Sequence, residues 1–155
     1  MTRIGLCLLA IVLTAGCSSD KPEAGASNAG NEFMSKMIVD DLPAIRTAVG
    51  SSEPSSASIK CAQVENLADA RKSGKNMEGL AEYEKLCTTD LPLATLKVEL
   101  DKIEAARKAK PDEAVLSECY NANYTTALEA LAKFKHEDLA KGYVARFTAA
   151  CPAPK

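Results

Sequence analysis

Residues 90–111 read DLPLATLKVELDKIEAARKAKP, and the spacing of their apolar positions decides the fold class. Leu93, Leu96, Leu100 and Ile103 follow a 3-4-3 rhythm that places all four on one face of an α-helix. Asp90 can cap the start of that helix, and Pro92 fits a first turn that has no use for its missing N–H. Arg107, Lys108 and Lys110 suit the negative end of the helix dipole, and Pro111 forces the stop.

The same rhythm runs outward in both directions. Upstream, Met34, Ile38, Leu42, Ile45 and Val49 form one stripe, with Asp41-Leu42-Pro43 implying a kink or a second helix start. Cys61, Val64 and Leu67 share a face, as do Leu80, Tyr83 and Cys87. Downstream, Leu116, Tyr120, Tyr124, Ala127, Leu131 and Phe134 form a longer stripe, and Leu139, Tyr143, Phe147 and Ala150 the last. No run of β-branched residues alternates with period two. The expected fold is all-α. Asp-Leu-Pro recurs at 41–43 and 90–92, but its unequal spacing to the following cysteines gives no solenoid period.

Composition agrees with one folded domain. Of 155 residues 46% are apolar and 26% charged, which excludes a disordered acidic or basic tail. The 19 basic and 21 acidic residues leave a net charge of −2, so nucleic acid is not an expected partner.

The first residues read as an address. Arg3 supplies a positive charge, Leu6 to Leu13 a short apolar run, and Leu13-Thr14-Ala15-Gly16-Cys17 ends it. The run is shorter than the roughly 20 apolar residues a spanning helix needs. Small residues before a cysteine at this place resemble the lipobox of bacterial lipoprotein precursors, from Met1 to Cys17 only. The resemblance implies that residues 1–16 are a signal peptide removed by signal peptidase II, and that Cys17 becomes the lipidated N-terminus. Two or three acyl chains there would anchor the chain stably to a membrane. Ser18, in place of an aspartate, implies sorting to the outer membrane, with the domain facing the periplasm. Residues 17–31, rich in Gly, Ser, Ala and Asn, then read as a flexible tether of about 20 Å. Residues 32–151 form the expected domain, and 152–155 a disordered tail.

With Cys7 removed and Cys17 acylated, Cys61, Cys87, Cys119 and Cys151 remain, and four thiols in an exported chain imply two disulfides. Helix geometry chooses among the three connectivities. The turn signal Lys72-Ser73-Gly74-Lys75-Asn76 is centred on Gly74, midway between Cys61 and Cys87, so two antiparallel helices return them to one height. Lys135 stands midway between Cys119 and Cys151 in the same way. Pairing Cys87 with Cys119 fails, because the break at Lys110-Pro111 lies far closer to one than to the other. The expected bridges are Cys61–Cys87 and Cys119–Cys151, each stapling an α-hairpin at its open end.

Catalytic groupings are scarce. The one histidine, His136, falls in the expected second turn, and no cysteine is left free to pair with it. The cysteines committed to disulfides leave no tetrahedral metal set, and no Gly-rich phosphate loop occurs, so neither metal nor cofactor is expected. Met34, Met37 and Met77 could offer thioethers to Cu(I), but at helical spacing methionine reads as core. Tyr120, Asn121, Asn123 and Tyr124 cluster after Cys119 and form the candidate interaction rim. The expectation is a non-catalytic envelope domain working by protein–protein contact or assembly. A small-ligand or metal carrier is the alternative, and a cell-wall-active enzyme the third.

Overall fold

A computed structural model describes residues 24–67, 77–113 and 116–152. The expected signal peptide, Cys17 and the turn at Lys72–Asn76 lie outside these residues, as does the tail beyond Pro152. The described residues are helical and contain no strand.

Helix α1 spans Ala24–Val49 and starts inside the stretch read as a tether. Elongating a helix costs far less than nucleating one, so the alanine-rich segment continues what the packed part begins. The core itself starts later. Met34 is the first described side chain to pack, and Ile38, Leu42, Ile45 and Ala48 form the buried face. Pro43 breaks nothing, contrary to the expected kink or new start, because the helix runs through it as one element. Its ring lies on the exposed side, and burial of Ile38, Leu42 and Ile45 on both sides of it outweighs the roughly 3 kcal/mol of an interior proline.

A 3-10 helix, Pro54–Cys61, follows and buries Pro54 and Ala57 against α1. Gly79 then opens α2 (Leu80–Lys85) at φ 74°, a left-handed backbone that favours glycine. It also lies against α1: a Cβ there would stand 2.7 Å from Leu42 Cδ1. Ion pairs Arg46–Glu82 and Asp41–Lys60 fasten α1 to these two elements.

The helix that opens the sequence reading does not start at Asp90. Helix α2 passes through a π turn, Leu86–Asp90, directly into α3 (Leu91–Ala109). Asp90 has helical dihedrals (φ −68°, ψ −44°), makes no cap, and pairs with Lys85 Nζ at 2.8 Å. Pro92 explains the widened turn. It can donate to no carbonyl one turn back, and the Leu91 N–H reaches back past the usual partner to the Leu86 carbonyl. Cys87 sits in this turn, and its bridge to Cys61 brings the two Cα atoms to 5.3 Å. The 3-10 helix ends at Cys61; residues 64–67, which follow it, are α-helical, and α2 leads back to Cys87, so the described parts of the first hairpin are the α-helical arms expected.

The second hairpin forms as the spacing expects. Helix α4 (Ala122–Lys133) and helix α5 (Glu137–Ala150) flank a turn at Lys135, and Cys119–Cys151 closes the open end with Cα atoms 5.8 Å apart. The turn needs no glycine. Lys135 itself takes the left-handed conformation at φ 61°, the His136 N–H donates to Leu131 O, and the Lys135 N–H donates to Ala132 O. These two bonds are the Schellman pair that satisfies a helix C-terminus.

The core divides into two clusters. One joins α1, the 3-10 helix, α2 and the π turn around Ile38, Ile45, Leu67 and Tyr83. The other joins α3, α4 and α5 around Leu96, Leu100, Tyr124 and Leu131.

Candidate functional site

The four residues read as an interaction rim separate into different roles. Asn121 is the N-cap of α4, where its Oδ1 accepts the Tyr124 N–H at 2.9 Å. Its Nδ2 donates to Glu99 Oε2 at 2.7 Å. Tyr124 is buried and stacks on Phe147 with ring centroids 4.5 Å apart. Burial pushes its phenol pKa up, and its hydroxyl has no partner among the described residues. Only Tyr120 and Asn123 face outward, and Tyr120 is 80% exposed. Asn121 and Tyr124 thus build the fold, which leaves Tyr120 and Asn123 as the outward-facing members of the four.

Glu99 is the polar residue that sequence reading missed. It lies on α3 at 4% exposure, between Leu96 and Leu100, where the pattern suggests a solvated face. Burial alone would raise its pKa. Hydrogen bonds from Lys102, at 2.9 Å, and from Asn121 and Asn123 outweigh that and hold the carboxyl below its ordinary value. The carboxylate also lies at the N-terminal end of α4, where the helix dipole favours negative charge. The other buried polar side chain, Thr95, donates its hydroxyl to Leu91 O at 2.9 Å.

The remaining charged groups also link elements. Arg107, read from sequence as ending its own helix, reaches across to α5, where Nε donates to Ala150 O at 2.8 Å. It thereby neutralises the negative end of a helix 43 residues away in sequence. Arg146 on α5 pairs with Glu104 and Asp101 on α3. Its guanidinium holds the Glu104 carboxyl below the ordinary range, while Asp101 is lowered first by Lys97 and then by Arg146.

His136 precedes α5, with its backbone in the turn. Met34 and Met77 pack in the first cluster, and Met37 is half-buried. Among the described residues no group of three or more His, Cys, Asp or Glu could hold a metal ion. Also among them, no helix is long and apolar enough to cross a membrane.

One groove remains as a candidate site. It has a volume of about 310 Å3 and lies between the 3-10 helix, the π turn and α4. In a 3-10 helix every third residue stacks, so Ser55, Ser58 and Cys61 form one column along the first wall. Asn123, Thr126, Ala130 and Lys133 form the facing stripe on α4, at helical spacing. The Cys61–Cys87 bridge, Leu91 and Pro92 make the floor, and Glu65 pairs with Lys133. Nothing in the sequence marks this groove, because its walls come from segments far apart in the chain.

Compared with protein-family models, curated proteins and solved structures, the chain matches none of them.

Proposed function

We propose that the protein is a lipoprotein of the bacterial envelope, anchored through Cys17, whose helical domain acts by contact with another envelope protein and not by catalysis. The observation that carries this reading is the end of the N-terminal apolar run, Ala15-Gly16-Cys17. Support for a non-catalytic domain comes from where its buried polar groups point. Glu99 bonds to Lys102 and Asn121, which ties α3 to α4, and the Thr95 hydroxyl bonds back to Leu91 O in its own helix, so both groups are engaged within the fold. Ser18 after the cysteine favours the outer membrane and a periplasmic domain.

Cys17→Ser tests the anchor. The wild-type chain should partition into the detergent phase and the variant into the aqueous phase; equal partitioning would sink the reading. In-cell crosslinking should then capture one envelope protein from the wild type. No captured partner, with catalytic turnover by the purified domain, would replace contact by chemistry.

A second reading, carriage of a small ligand, draws on the groove. Its volume of about 310 Å3 lies at the small end of the range for ligand pockets, roughly 300–1,000 Å3, and its floor is apolar with polar groups on the rim.

A further inference from the structure

The charges lining the groove do not balance. Glu65 and Lys133 are held by each other. That leaves Glu129, one turn before Lys133 on α4, with no ion-pair partner among the described residues. The cation that could neutralise it at four-residue spacing is engaged with the carboxylate of another segment. The hydroxyls of Ser55, Ser58 and Thr126 also line the groove and bond to no described residue. Beneath them lie Leu91, Pro92, Ala127 and the disulfide, with Thr95, whose hydroxyl is already bonded to Leu91 O. The walls carry Ser, Ala and Thr, so the trough suits a slender apolar body. A positive head fits the acid left over, Glu129, which stands exposed at the rim of the groove.

We propose that this groove binds an amphiphile with a hydrocarbon chain and a cationic amine head, the chain over the Cys61–Cys87 bridge and the head at Glu129. The proposal rests on the carrier reading above. An anionic head finds no equivalent among the described residues, because the one lysine they bring to the groove is already paired.

The test titrates the chain carrying Cys17→Ser, which removes the anchor, with decylamine, decanol and decanoate below their micellar concentrations. Native mass spectrometry gives stoichiometry and calorimetry gives affinity. Decylamine should bind one per chain, roughly tenfold more tightly than decanoate, and Glu129→Gln should erase that preference. Thr126→Trp, at an exposed position on the groove wall, should abolish binding of all three while the circular dichroism is unchanged. Ala130→Leu is the second blocking variant, should the first fail to fold. Equal binding of the three probes overturns the amine assignment and leaves carriage standing. No binding by any overturns both. Decylamine binding that survives a folded blocking variant overturns the groove as its location.

Discussion

The two halves of this molecule carry one disulfide each and use it differently. The Cys119–Cys151 bridge joins a single 3-10 turn, Ser117–Cys119, to the end of α5, and the hairpin beyond it is regular, with α4 capped by Asn121, α5 closed by Arg107, and a Schellman turn between them. Around Cys61–Cys87 the backbone is irregular, with a 3-10 helix on one side and a π turn on the other. The bridges close similar loops, with sequence separations of 26 and 32, and the chain-entropy model assigns each about 3–4 kcal/mol. What differs is the structure left once a bridge is gone. In the second half, hydrogen bonds and the Tyr124–Phe147 stack still define the hairpin. In the first, 3-10 and π geometry bond more poorly, and the bridge, the apolar cluster and the Tyr83 hydroxyl donating to Lys60 O hold the 3-10 helix to α2.

Removing the bridges puts this contrast to its hardest test. Cys61→Ala with Cys87→Ala should cost about 3–4 kcal/mol in denaturant unfolding and also strip amide protection from residues 54–67. Cys119→Ala with Cys151→Ala should cost a similar amount and leave the protection of α4 and α5 tied to global unfolding. Equal local loosening in both variants would erase the distinction.

Gly79→Ala comes next in size. It imposes a left-handed alanine and puts its Cβ 2.7 Å from Leu42 Cδ1, for a loss of about 2 kcal/mol in thermal or denaturant melts. A variant as stable as wild type would mean that α1 can move away from Gly79.

Asn121→Ala tests the second half. It removes the cap of α4 and one donor to Glu99, for a loss of about 1–2 kcal/mol. The same substitution has a pH signature. The folded pKa of Glu99 lies below its ordinary value, so its stabilisation is present above the unfolded pKa and lost as pH falls through the folded one. Without Asn121 the folded pKa should rise, and the acid loss should begin at higher pH. An unchanged acid limb in the melting profile would show that Lys102 and Asn123 hold the carboxylate without Asn121.

Lys135→Gly has the smallest expected effect and the opposite sign. Glycine takes φ 61° without the side-chain clash, so stability should rise by about 1 kcal/mol. A loss on this substitution would mean that the lysine side chain supports the turn.

Much of this was legible in the residues, and the limits have physical causes. The apolar stripes marked the helices, and equal distances from a turn centre selected the disulfide partners. The turn at Lys135 was located by symmetry alone, since no glycine or proline marks it. Asp90-Leu91-Pro92 misled because the same three residues that start a helix also fit behind a π turn, and only Leu80–Lys85 packing before them distinguishes the two. The segment PSSASIKC has no helical period to read, and it forms a 3-10 helix by packing on α1. Glu99 was hidden because its partner Asn121 lies 22 residues away and is brought near only by the fold.

Helix α1 runs from Ala24 through Phe33 before Met34 makes the first packing contact among its described side chains. At a rise of about 1.5 Å per residue this stretch adds about 15 Å of helix ahead of Met34. A coil of that span transmits only a pull, whereas a helix also transmits direction and rotation. A hold on the chain at Ala24 itself would therefore steer the domain as a handle steers a blade, and would set which way the groove faces.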